Sequence, residues 1–286
     1  ASSVTDICVF NLIASSASSH IGKLALVIGD SLSSDIRGGA DYGIDTCWYN
    51  PKGAENKSGL DITYTVSDHA ELAELLGVSV SYKKIKTVCS ELCAQGISFD
   101  TDSPLSARTS FKIGGNADIV IFPESEEQLI SSVEILKKAD LRFMVAGNGT
   151  NLLFSDKGYR GAVIFTRKMR NIKVDGNVIS VLCGDSFTEA AVAARDAALT
   201  GLEFAYGIPG SCGGAVCMNA GAYGSDVSAV LKDARVLDIE SGAVNVLTKD
   251  ALDLSYRHST VKDNPNLVVL SARFELEKGD KAQIGA

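Results

Sequence analysis

Residues 119–153 read IVIFPESEEQLISSVEILKKADLRFMVAGNGTNLL. Ile119-Val-Ile-Phe122 is a short continuous apolar run, as a buried strand requires. Ser125-Glu-Glu-Gln128 is a capping box, whose side chains answer the unpaired amides of a helix start. The helix runs through Ala139, with Leu129, Val133 and Leu136 as its stripe and Ile130 beside them. Lys137 and Lys138 suit the negative end of its dipole. Arg142–Ala146 reads as a second strand. The three pieces form a β-α-β unit, which the chain leaves through Gly147-Asn-Gly-Thr-Asn-Leu-Leu153.

Downstream, Val174-Asp-Gly-Asn177 predicts a hairpin turn. Ser186-Phe-Thr-Glu189 caps a helix running to about Leu199, with Gly201 just past its end. Short strands follow at 233–239, 244–248 and 267–276, so an antiparallel lobe joins the β-α-β lobe in an α+β fold. Upstream, Leu24-Ala-Leu-Val-Ile28 followed by Gly29-Asp30 reads as a buried parallel strand ending in a loop. Residues 54–61 are loop-like. Residues 68–76 read as a helix with Leu72, Leu75 and Leu76 on one face, ended by Gly77. A boundary falls near residues 77–86, giving segments 1–80, 84–165 and 166–286.

The 286 residues correspond to roughly two domains at about 150 residues each. With 45% apolar and 22% charged residues, the composition is that of a soluble globular protein, not a disordered or fibrous one. A net charge of 27 − 35 = −8 points away from nucleic-acid or anionic-membrane partners. No uninterrupted apolar run is long enough to cross a bilayer. Ile7–Ala14 lacks a basic leader, so no signal peptide is expected. Seven scattered cysteines read as reduced thiols in a cytoplasmic protein. Cys89 and Cys93 read as two thiols near one helix face. Asn56-Lys-Ser58 and Asn148-Gly-Thr150 fit the glycosylation pattern by chance.

Four places could carry chemistry. In Gly147, Asn148, Gly149, Thr150 and Asn151, successive amides can nest an anion, or simply turn the chain. The spacing is not the dinucleotide fingerprint, since Leu152 stands where a third glycine belongs. Gly207–Gly224 holds six glycines in eighteen residues. That density suits a backbone surface against a large flat or diphosphate-bearing ligand; the alternative is a tight corner of crossing chains. In Leu254-Ser-Tyr-Arg-His-Ser259, Tyr256 and Arg257 alternate as on a strand, and Arg257 is either a fixed cation for developing negative charge or half of a surface ion pair. Asp30 and Asp35, five apart after a buried strand, could share a Mg²⁺ or belong to a capped polar loop. The three histidines (His20, His69 and His258) show no spacing with a nucleophile.

In order and spacing, Thr109-Ser-Phe-Lys-Ile-Gly-Gly115, Gly147-Asn-Gly-Thr-Asn151, Gly201-Leu-Glu-Phe204, Gly207-Ile-Pro-Gly210, Met218-Asn-Ala-Gly-Ala-Tyr-Gly224 and Tyr256-Arg257 make the chain, from about residue 84 to 278, resemble the bacterial UDP-N-acetylenolpyruvoylglucosamine reductases. The resemblance implies the FAD-binding fold of the vanillyl-alcohol-oxidase type. It implies FAD held by Gly147–Asn151 together with Gly207, Ile208, Pro209, Gly210, Ser211, Gly213, Gly214, Asn219, Gly221, Ala222 and Tyr223. It further implies NADPH as reductant, a UDP-sugar substrate, and Arg257 as the active-site arginine. The family's C-terminal substrate domain, with a Ser-Ala-Gly-Ser-x-Phe-Lys-type motif, is expected to be absent from residues 1–286, leaving turnover incomplete or the chain a non-catalytic flavin binder.

Residues 22–76 resemble the C-terminal end of a haloacid-dehalogenase-superfamily phosphatase through Gly29-Asp30, Asp35, Ile36-Arg-Gly-Gly39, Gly43-Ile-Asp-Thr46 and Trp48-Tyr-Asn-Pro51. This implies a partial α/β Rossmann-like segment with Asp30 and Asp35 toward Mg²⁺. Without an upstream Asp-x-Asp nucleophile, the segment is expected to be inactive by itself. A phosphatase fragment is the alternative function.

Overall fold

Within the apolar run at 24–28, Ala25–Ile28 lie in a strand that continues to Gly29. The computed structural model describes residues 8–11, 25–76 and 79–284. Ala1, His20, Leu24, Gly77 and the final Gly285-Ala286 lie outside the described residues. The chain divides into two units, residues 1–84 and 85–286.

In the first unit, β1 (Cys8–Asn11), β2 (Ala25–Gly29), β3 (Asp45–Tyr49) and β4 (Tyr64–Val66) form one sheet in that order. β2, β3 and β4 are parallel, and β1 is antiparallel to β2. After β2, a π-helical turn (Leu32–Ile36) runs into α1 (Arg37–Asp41), giving the crossover that parallel neighbours require. Leu26, Cys47 and Val66 are buried, and Leu72, Leu75 and Leu76 pack on them from α2 (His69–Leu75) and the residue after it.

In the second unit, Val88 and Leu92, four apart on one face of α3 (Ser79–Ala94), enter the core. The next sheet contains β5 (Ser98–Pro104), β6 (Asn116–Phe122), β7 (Phe143–Ala146) and β8 (Tyr159–Phe165), with α4 (Glu126–Lys138) between β6 and β7. Ser125 Oγ accepts from Gln128 N at 3.2 Å, as a capping box requires, but Gln128 Oε1 reaches one residue further back, to Glu124 N at 2.8 Å. The strand order is β5-β6-β8-β7. The predicted β-α-β partners are therefore parallel but not adjacent, because β8 lies between them. The reason is burial: Gly161–Phe165 is an unbroken buried run, which suits a strand flanked on both sides.

The chain then forms a hairpin from β9 (Lys173–Asp175) and β10 (Val178–Leu182), followed by α5 (Phe187–Asp196), β11 (Leu199–Thr200), α6 (Cys212–Cys217), β12 (Gly221–Ala222), β13 (Ser225–Asp226), β14 (Leu231–Asp238), β15 (Val244–Thr248), β16 (Leu267–Glu275) and β17 (Glu277–Lys278). The main antiparallel sheet runs β15-β14-β16-β10-β9. α5 stops three residues before the predicted end. Ala198 takes the left-handed turn (φ +56°), and Leu199 leaves the helix to be buried in β11 against β17. Phe187 of α5 meets Phe204 and Phe274 at ring separations of 5.9 and 6.0 Å. Ile119, Ile121 and Leu136 from the first lobe share one apolar core with Val181, Val236 and Phe274 of the second. No helix among the described residues is long and apolar enough to cross a membrane.

Candidate cofactor-binding cleft

β7 delivers the chain at Ala146 to the loop Gly147–Asn151. None of the five amides of this loop donates to a protein acceptor among the described residues. The loop is anchored from behind: Gly149 O accepts from Ser110 N at 3.1 Å. At Gly149 (φ +71°) a Cβ would stand 2.6 Å from Arg108 O, so glycine is required twice over.

The second glycine-rich stretch meets this loop. A Cβ on Gly147 would overlap Ser211 Oγ and stand 3.1 Å from Ser211 Cβ. Ser211 caps α6, its Oγ accepting from Gly214 N at 3.2 Å. The start of α6 is tied to the end of β10: Cys212 N donates to Asp185 O at 2.8 Å and Gly213 N to Cys183 O at 2.9 Å. Gly147–Asn151 and Ile208–Ser211 thus line one cavity of about 380 Å³, with Gly214, Met218 and Arg257 in its wall. A second cavity, about 330 Å³, shares Val145–Gly147, Ser211, Gly214 and Cys217 and continues between Gly213, Val261 and Leu267–Val269.

Not every expected residue reaches these cavities. Gly207, Asn219, Gly221, Ala222 and Tyr223 line neither. Gly221 and Ala222 pair with Ser225 and Asp226 in the β12–β13 hairpin, and Tyr223 at its tip is 95% exposed. Asn219 is buried and fully engaged. Its Nδ2 donates to Ser255 O at 2.9 Å and Asp226 Oδ2 at 3.2 Å, and its Oδ1 accepts from Ser228 N at 3.0 Å. Conversely, Val145, Phe187, Cys217 and Met218 form apolar lining that a search for glycine-dense segments passes over.

Residues 254–259 are a tight turn, not a strand. Ser255 and His258 exchange main-chain bonds of 3.3 and 3.0 Å, and Arg257 sits at the tip with φ +56°. Tyr256 and Arg257 therefore do not alternate between sheet faces. The turn is tied down by Asn219, by Lys262 Nζ donating to Arg257 O at 2.8 Å, and by Ser259 Oγ donating to Cys217 O at 2.6 Å. No carboxylate among the described residues forms an ion pair with Arg257.

The thiols around the cleft are held protonated. Burial pushes Cys183 up to about 12 and Cys212 well above its ordinary value, and it raises Cys217 against the opposing charge of Lys262. Beyond Asn148, an open depression is lined by Glu124, Arg167, Lys168 and Arg170. Burial, followed by the neighbouring Arg108 guanidinium, lowers the pKa of Arg167.

Asp30 and Asp35 are engaged separately by the protein. Asp35 is buried over Gly29, and its carboxylate accepts from Ser31 N at 3.3 Å and Ser34 Oγ at 3.4 Å. Asp30 meets Trp48 through its main-chain oxygen, at 3.1 Å. Among the described residues no group of three His, Cys, Asp or Glu side chains could hold a metal ion.

Residues 117–248 match the family model described as FAD binding domain. The UDP-N-acetylenolpyruvoylglucosamine reductase of Lactococcus lactis subsp. cremoris (strain MG1363) is 46% identical over 183 residues, covering 64% of this chain and 60% of the relative. That of Caldicellulosiruptor bescii is 44% identical over 189 residues, 66% of this chain and 60% of the relative. The second unit has an FAD-binding fold like that of these reductases. The solved reductase of that name from Thermus caldophilus superposes with a TM-score of 0.56 at 28% identity, covering 66% of this chain and 65% of that one. A glucooligosaccharide oxidase from Acremonium strictum, 15% identical with a TM-score of 0.50 over 67% of this chain and 43% of its own, shares the fold alone. The chain spans 60% of the length of the curated relatives it matches.

Proposed function

We propose that this chain supplies the FAD-binding part of a flavin-dependent reductase that uses NADPH to reduce UDP-N-acetylenolpyruvoylglucosamine to UDP-N-acetylmuramate. One observation carries the reading: Gly147–Asn151, whose five main-chain amides have no acceptor among the described residues, and Ile208–Ser211 line one cleft, with Arg257 in the wall. Unpaired amides on successive residues suit a diphosphate, whose oxygens take several charge-assisted bonds. The glycine at 147 lets this loop close against Ser211, and the adjoining apolar cavity extends the space beyond one nucleotide. These residues therefore fit the dinucleotide.

FAD, when bound, supplies the redox chemistry, which the protein orients and shields. Gly147–Asn151 and Ser211 hold it by main chain. Phe187, Ala215 and Met218 keep water from the cavity wall. Arg257 presents a guanidinium with no counter-ion among the described residues, suited to steady negative charge that develops on the carboxylate side of the substrate. The test is flavin uptake: the purified chain is titrated with FAD and followed by visible absorbance and by quenching of flavin fluorescence. Saturable uptake at one equivalent is expected, and a chain that stays colourless with FAD present overturns the reading.

A further inference from the structure

One side chain of the Arg257 turn is bonded in a way that selects its charge state. His258 Nδ1 lies 2.9 Å from the Asp253 carbonyl oxygen, and His258 Nε2 lies 2.8 Å from Asp263 Oδ2. Carbonyl and carboxylate oxygens only accept hydrogen bonds, and a neutral imidazole has a single N–H to offer. The neutral ring satisfies one of these partners; the imidazolium satisfies both. The partners also come from the two sides of the turn. Asp253 precedes it, and Asp263 ends the short helix Thr260–Asp263 that follows.

The charges around the ring are mixed. The Asp253 and Asp263 carboxylates favour the cation, whereas Lys262, bonded to Arg257 O, and Arg257 itself are of like sign. Behind the turn, the Cys217 thiol on α6 is kept protonated by burial and adds no charge. The acceptors prevail: the bond to the Asp253 main chain, then the bond to Asp263, raises the His258 pKa above its ordinary 6.5.

We propose that His258 is a positioning residue: its imidazolium joins Asp253 to Asp263 across the base of the turn and so holds Arg257 in the cleft wall, a role that rests on the reading of Arg257 given above. With the folded pKa raised, the clamp is fully present below the unfolded value of about 6.5 and is lost as pH rises through the higher folded value. Reduction of substrate would then fall on the alkaline side for a reason unconnected with the flavin.

The experiment is an NMR titration of the purified 286-residue chain without added flavin. It follows the histidine ring nitrogens, assigned by His258→Gln, together with the Arg257 Nε order parameter. The expected result has three parts: His258 titrates above 6.5, Asp263→Asn shifts that midpoint downward, and Arg257 loses order over the pH interval in which His258 loses its proton. In His258→Gln, Arg257 should remain at the lower order at every pH. A His258 midpoint at or below 6.5 overturns the proposal, as does an Arg257 signal indifferent to the titration. If a variant fails to fold, the titration of the unaltered chain decides alone. Because flavin is absent, failure of FAD uptake and failure of this clamp are read in separate experiments.

Discussion

Replacing Gly147 with alanine puts a methyl group into Ser211, overlapping its Oγ and 3.1 Å from its Cβ. One of two things must yield. If Ser211 turns away, α6 loses the cap to Gly214 N, a loss of about 1 kcal/mol. If the loop moves instead, it shifts against a packed wall at about 1–3 kcal/mol, and at least one charge-assisted amide contact to the diphosphate is lost, about 1.5–3 kcal/mol. The second route weakens FAD binding by roughly 10- to 150-fold. Removing the obstacle separates the routes. Ser211→Gly alone forfeits the cap at a few tenths of a kcal/mol, since glycine is itself tolerated there, and it frees the space for Cβ at 147. The double variant Gly147→Ala/Ser211→Gly should therefore recover most of the lost affinity, with a coupling energy of about 1 kcal/mol or more. The assays are fluorescence titration with FAD and urea unfolding of the flavin-free chain. Unaltered affinity together with unaltered stability in Gly147→Ala, or strictly additive single variants, would refute the contact between the two stretches as the reason for glycine at 147.

Arg257→Gln should leave FAD uptake unchanged and, in the full-length protein, lower the rate of substrate reduction by roughly 10²–10³-fold; steady-state kinetics beside the visible spectrum checks both halves. Asn219→Ala removes a buried side chain that bonds Ser255 O, Ser228 N and Asp226, so urea unfolding should show a loss of about 1–3 kcal/mol although the residue lines neither cavity. Thiol labelling near pH 8 should modify the exposed Cys93 in the folded chain and spare Cys183 and Cys212, whose thiols burial keeps protonated, until denaturant is added.

Local signals were legible where the cause is local. The capping box at Ser125, the hairpin at Gly176 and the stripe of α4 follow from interactions within a few residues of sequence. The two glycine-dense stretches were also legible as ligand candidates, because their composition exceeds what turns demand. What sequence did not convey is who stands beside whom. Nothing in Ile119–Phe122 or Arg142–Ala146 says that Tyr159–Phe165 will separate them; the pairing is set by which strand can be covered on both sides. The Arg257 turn was hidden for another reason. Arginine at positive φ is unfavourable locally, so propensity argues for a strand, and ties from residues outside the turn, Asn219 and Lys262 among them, help hold it. Asn219, which the family resemblance implies as a ligand contact, is buried and bonded to the turn through Ser255 O, a tie between distant residues that no local signal conveys.

The apolar interior common to both lobes of residues 85–286 sets how the cleft can behave. Lobes that meet through a thin polar seam can gape like a jaw. Here, parting Ile121 from Val181 would expose the interior of both, so thermal denaturation of these residues should proceed as one transition and not as two steps. Entry and departure of a long ligand then fall to the perimeter segments, and exchange rates should respond to changes in the 207–211 and 254–259 loops far more than to changes within the strands.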